Sequence, residues 1–122
     1  MSKEARKGNT FEQQVADYMA RRLEDERIER RVKNGSKDRG DITGLYVRKR
    51  RAVVECKCCN KMDLSGWVGE AEDERVNDGA EFGVVVHKRR GCGEKGFGGN
   101  YVTMTLDTFL AIVAGGFEYL GG

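Results

Sequence analysis

Two apolar segments of this 122-residue chain carry charge where a buried strand should carry none. The first opens on an acid, Gly40-Asp41-Ile42; the second holds an acid and a lysine two residues apart, Val53-Val54-Glu55-Cys56-Lys57. Charge in a buried strand is paired or binds a metal, because desolvating it alone costs too much. Side chains alternate along a strand, so Glu55 and Lys57 share a face, about 6–7 Å apart, while Cys56 points the other way. The basic run Arg48-Lys49-Arg50-Arg51 lies between the two segments and reads as a hairpin tip. An odd-length loop, such as Val47 to Lys49, keeps Asp41 on the Glu55/Lys57 face, and an even one turns it away. With the odd loop, two carboxylates and an ammonium converge on one patch of sheet. That is a metal site with a lysine attached.

The chain is of a length for one domain, 1–122, with a single core. Its composition, 39% hydrophobic and 34% charged, is that of a soluble protein on the polar side. No apolar run approaches the roughly 20 residues that span a bilayer, and the polar N-terminus has no signal-peptide core. A cytoplasmic protein is expected, with no membrane partner. Net charge is only +2, so the distribution of charge is more telling than its sum. Basic residues cluster at Arg21-Arg22, Arg27 to Lys33, Arg48 to Arg51 and Lys88 to Arg90, and acids chiefly at Glu70 to Asp78. Basic segments flanking a metal-binding acid cluster suit a polyanion; a solvated face or turn tip has the same composition. With one histidine, His87, in the chain, Cys56, Cys58, Cys59 and Cys92 read as thiols packed as small hydrophobes and not as a zinc site.

Along the chain, Thr10-Phe11-Glu12-Gln13 fits a capping box with Thr10 as N-cap. Phe11, Val15, Met19 and Leu23 follow at helical spacing, and the pattern fades near Arg30. Glu12 falls on the same side as Val15, Ala16, Met19 and Leu23. It either favours the helix dipole from a wetted position or points inward at the acids; alongside Asp41 and Glu55, the second is preferred. Residues 33–40 form a polar loop that either grips phosphate through Ser36, Lys37 and backbone amides or simply connects. Strands are expected over 41–47 and 52–58, then a helix over 65–77 with Leu64, Trp67, Val68 and Ala71 on one face and Gly79 as its stop. Phe82 to Val86 reads as a central strand, 91–99 as a glycine-rich loop with no nucleotide role, and 101–105 as a short strand. The last helix, 106–114, is coated by Phe109, Leu110, Ile112 and Val113, so it is either buried or a dimer interface. The order is α-β-β-α-β-β-α, a mixed β-sheet with helices packed on it.

These residues resemble the PD-(D/E)xK nuclease superfamily, and within it the small Holliday junction resolvases of archaea and their phage-borne relatives. The likeness rests on Arg6-Lys7-Gly8 with Phe11-Glu12, on Gly35-Ser36, on Gly40-Asp41-Ile42 and on Glu55-Cys56-Lys57, and it covers essentially the whole chain in element order and length. Gly40 stands where the family usually has proline, a position that shapes the backbone and holds no metal.

The resemblance implies a restriction-endonuclease-like α/β fold and a metal-dependent, structure-specific endodeoxyribonuclease that cuts four-way DNA junctions. Asp41 and Glu55, with the main-chain carbonyl of Cys56, would bind Mg²⁺ or Mn²⁺, and Glu12 would complete the cluster directly or through water. Lys57 would orient the attacking water, a role that suits a lysine kept protonated by two carboxylates. The family acts as homodimers, which makes 109–113 the candidate interface, and a phage-encoded member would work in the host cytoplasm. Lys7, Arg30, Arg31, Lys33, Ser36, Lys37, Arg39, Arg48, Lys49 and Lys61 are the candidate DNA contacts, through phosphates and hence by shape. Two other functions fit the same residues: a restriction-like or flap-type nuclease of the superfamily, and a non-catalytic DNA-binding module whose acids are structural.

Overall fold

The computed structural model describes residues 3–32, 35 and 38–122, with the backbone alone at 3–7 and 9. In chain order the elements are α1 (Lys3–Leu23), β1 (Glu29–Arg30), β2 (Ile42–Val47), β3 (Arg50–Lys57), α2 (Leu64–Asp78), β4 (Phe82–His87), β5 (Tyr101–Thr103) and α3 (Leu106–Ala114). One-turn 3-10 segments lie at Phe97–Gly99 and Phe117–Tyr119. The five strands form one mixed sheet in the order β1-β2-β3-β4-β5. β3 and β4 run parallel, with α2 as the crossover between them, and the other neighbours are antiparallel. Every residue of β4 is buried, as its unbroken apolar run requires of an interior parallel strand.

Helices cover both faces. Phe11, Val15 and Ala16 of α1 pack with Ile42, Val54, Cys56, Val84 and Val86. Ala111 of α3 closes the same face against Ala52 and Phe82. On the opposite face Trp67 and Ala71 of α2 meet Val85. Gly83 lets α2 approach β4 closely, since a Cβ there would lie 2.6 Å from the Ala71 carbonyl oxygen.

Several elements differ from the sequence-based expectation. α1 begins at Lys3, so Thr10 is interior and not an N-cap. Lys3 to Lys7 are strong helix formers, and the cost of Gly8, about 1 kcal/mol, does not stop the propagation. α1 ends at Leu23, and Glu29–Arg30 is a two-residue edge strand that helical spacing could not reveal. α2 ends on Gly79 in the left-handed conformation, as expected. α3 is not buried: Thr108 and Ala111 face the core, while Phe109 and Val113 are 52% and 60% exposed.

The hairpin is the most consequential difference. Its loop has two residues, Arg48 and Lys49, because Val47 pairs with Arg50. Both have positive φ, 50° and 71°, the two-residue turn that matches strand twist. Non-glycine residues there cost about 1–2 kcal/mol each. Arg48 offsets part of that by donating to the Val113 carbonyl at 2.7 Å, at the negative end of α3. An even loop alone would turn Asp41 away. The register shifts by one residue between Leu45↔Ala52 and Ile42↔Val54, with Thr43 and Gly44 together opposite Val53. This bulge supplies inside the strand the extra residue that the loop lacks.

Candidate metal centre

Because of the bulge, Ile42 shares the face of Val54 and Cys56 in the α1 core, and the acid before it reaches the other side. The Asp41 N–H donates to the Val54 carbonyl at 2.9 Å, and its own carbonyl accepts from Arg31 at 2.8 Å. Asp41 Oδ2 accepts from the Cys56 N–H at 2.8 Å, so the carboxylate lies against the main chain between Glu55 and Cys56. It interacts further with the carboxyl groups of Glu55 and Glu12. Asp41 and Glu55 are both buried, and Glu12 is partly so. The structure thus brings Glu12, Asp41 and Glu55 together.

Burial pushes the Glu55 carboxyl up to about 8, with Glu74 adding to the rise. Glu12 is raised by burial and by the Asp41 charge, against the pull of Arg30, whose Nε donates to Glu12 Oε2 at 2.9 Å. Lys57 follows Glu55 by two residues on β3 and donates from Nζ to Glu70 Oε2 at 2.8 Å. Burial alone would lower the ammonium's pKa, but Glu70 and the Glu55 charge outweigh it and hold Lys57 above its ordinary value. It is a fixed cation and not a proton acceptor. The Cys56 side chain points into the α1 core, where burial pushes its thiol up, so its carbonyl is what it can offer a metal. All four cysteines are unpaired thiols.

Two further acids stand at this centre. Glu74 of α2 is buried, and one oxygen each from Asp38, Glu55 and Glu74 lie within 4.8 Å of one another. Burial pushes Glu74 up to about 7. The sequence did carry a signal for Glu74: it follows Trp67 by seven residues and Ala71 by three, on the stripe that faces the sheet. Asp38 had none beyond its nearness to Asp41.

The basic residues are less gathered. Arg30 is held by Glu12, and Arg31 by Asp78 at 3.3 Å and by Thr43. Arg48 is tied to α3, and with Lys49 it sits at the hairpin tip, about 20 Å along β2 from Asp41 by strand rise. Arg39, Lys49 and Lys61 are exposed. Lys33, Ser36 and Lys37 lie outside the described residues, as does the side chain of Lys7. His87 is structural: its Nε2 is 2.7 Å from Thr103 Oγ1 and its ring packs between Trp67 and Tyr101. No described helix is long and apolar enough to cross a membrane.

No family model, curated protein or solved structure matches this chain.

Proposed function

We propose that this chain is a metal-dependent endodeoxyribonuclease of the PD-(D/E)xK type, with the restriction-endonuclease-like fold, and that it resolves four-way DNA junctions. The observation that carries the reading is the convergence of the buried acids Asp41 and Glu55 on the sheet, with Lys57 two residues further along β3. That convergence is assembled by a strand bulge, a local irregularity of the sort found beside active sites.

The residues fit a hard divalent cation. Several carboxylates stand close together, and burial raises Glu12 and Glu55 even though Arg30 and Lys57 pull the other way. Asp41, Glu55 and the Cys56 carbonyl would hold Mg²⁺ or Mn²⁺, with Glu12 beside them. When bound, the ion supplies an activated water and neutralises charge on the phosphate.

The chain's own residues do the rest. The Cys56 amide fixes the rotamer of Asp41. Lys57, held protonated by Glu70 and Glu55, orients water and faces the charge that grows on the phosphate oxygens. Arg39 and Lys61, both exposed, would bind backbone phosphates, a shape-reading contact that carries no sequence information. The apolar outer side of α3, with Leu106, Phe109, Leu110 and Val113 exposed, suits a second copy of the chain, as two opposed cuts in a junction require.

The test is scission of labelled DNA with Mg²⁺ beside the same reaction in EDTA. Magnesium-dependent cutting supports the reading, and a pure protein that never cuts overturns it. A non-catalytic DNA-binding module is less well supported, because phosphate binding gains nothing from buried carboxylates without a cation.

A further inference from the structure

Glu74 has no place in the D…E-x-K pattern, yet at 2% exposure it is the most completely buried acid of the centre. Both its oxygens are sealed from solvent and meet no N–H or hydroxyl donor; the group within hydrogen-bonding reach is another acid, the Glu55 carboxyl. A carboxylate so placed costs several kcal/mol unless something positive shares it. The described basic side chains around the centre are committed elsewhere: Lys57 to Glu70, Arg30 to Glu12, Arg31 to Asp78. What Glu74 does meet is two more carboxylates, with one oxygen each from Asp38 and Glu55 within 4.8 Å.

Asp38 is held in that position from both ends. Its Oδ1 accepts from the Gly40 N–H at 3.0 Å, and its carbonyl accepts from Asn77 Nδ2 at 3.0 Å. Asn77 follows Glu74 by three residues on α2, so one helix turn supplies an acid and tethers another. The helix turn gathers three carboxylates, and the Lys57 charge that acts on Glu55 is already paired with Glu70, so the cluster suits an ion from solution.

We propose that Asp38, Glu55 and Glu74 bind a divalent cation of their own, with Glu55 shared between it and the cation held at Asp41. Three carboxylate oxygens suit Mg²⁺ or Mn²⁺ and not a softer metal. Charge supports two ions: ionised Asp38, Asp41, Glu55 and Glu74 carry four negative charges, of which one divalent cation balances half. The sharing of Glu55 rests on the nuclease reading above; the Asp38–Glu55–Glu74 site itself does not. In phosphodiester hydrolysis a second ion serves the leaving oxygen, so Glu74 would affect the rate without touching the attacking water.

The experiment is a Mn²⁺ titration of the full chain, with unbound ion followed by electron paramagnetic resonance, for wild type, Glu74→Gln and Asp41→Asn. Two ions per chain for wild type and one for each variant is the expected result. One ion in wild type, or an unchanged count in Glu74→Gln, overturns the proposal and leaves Glu55 and Glu74 sharing a proton. Thermal unfolding in EDTA checks the fold: Glu74→Gln removes a buried carboxylate and is expected to melt no lower than wild type. Should that variant fold poorly, Asp38→Asn, at an exposed residue, gives the same reading of one ion. DNA cutting separates the two ideas. Two ions without cutting uphold this site and sink the nuclease; cutting with a single ion does the reverse.

Discussion

The Cys56 amide donates to Asp41 Oδ2 across 2.8 Å, joining two strands whose two-residue turn, taken alone, would have set that acid on the wrong side of the sheet. The contact exists because β2 carries one extra residue at Thr43-Gly44. The site therefore depends on a backbone irregularity with no chemistry of its own.

Gly44 is the residue that makes the irregularity tolerable. Its φ is +87°, and a Cβ there would lie 2.0 Å from the Arg27 carbonyl oxygen, which is backbone and cannot swing aside. Gly44→Ala is expected to cost about 2–3 kcal/mol, read as a lower midpoint in urea. Any variant that stays folded should also lose Mn²⁺ affinity, because the register error reaches Asp41. Unchanged stability would mean the bulge is not needed.

Stability of the metal-free protein should fall as pH rises. Burial raises Glu55 to about 8 and Glu74 to about 7, against an ordinary value of 4.5. A carboxyl raised on folding contributes most below its unfolded pKa and loses that contribution as pH climbs through its folded pKa. In EDTA the melting temperature is thus expected to drop between about pH 4.5 and 8, and Mg²⁺ should restore most of it at pH 8. Glu55→Gln should flatten the dependence. A melting temperature that rises over this range would contradict the cluster's electrostatics.

Lys57→Ala is expected to slow cutting about 100-fold or more while leaving Mn²⁺ binding intact or slightly tighter. The pH–rate profile should show no loss from Lys57 below pH 10, because Glu70 and Glu55 hold its pKa above the ordinary 10.5. Lost metal binding in this variant would make the lysine structural.

DNA binding should weaken steeply with salt, and the double variant Arg39→Ala, Lys61→Ala should reduce the slope of log K against log salt by about one per lost phosphate contact. Arg31→Ala should instead lower stability, because Arg31 is held by Asp78 and Thr43 inside the chain. A flat salt response would remove the phosphate-contact account.

Most of the fold was legible in the sequence where periodicity is strong. The α2 stop at Gly79, the buried run of β4 and α3 with its end at Gly115 all follow from local pattern and cap chemistry. The start of α1 was not, because the Thr10 capping signal competes with five good helix formers before it. At the centre, Asp41, Glu55 and Lys57 stood out as charges in apolar segments. Glu74 was hidden among the acids of Glu70 to Asp78, where only its register with Trp67 and Ala71 marked it. The loop parity was misjudged because a bulge leaves no periodic trace. Gly44 within a strand was its only mark. The pairing of Arg30 with Glu12 and of Arg31 with Asp78 was not legible, because a run of charges does not reveal which members pair internally.

The most direct measurement is cleavage of a labelled four-way junction beside linear duplex of matched sequence, with Mg²⁺ or EDTA, for wild type and Asp41→Asn. Paired, symmetric nicks in the junction alone, abolished by EDTA and by the substitution, are the predicted result. No cutting by wild type, with the junction bound equally by both proteins, would contradict the account and reduce Asp41, Glu55 and Lys57 to a structural charge cluster.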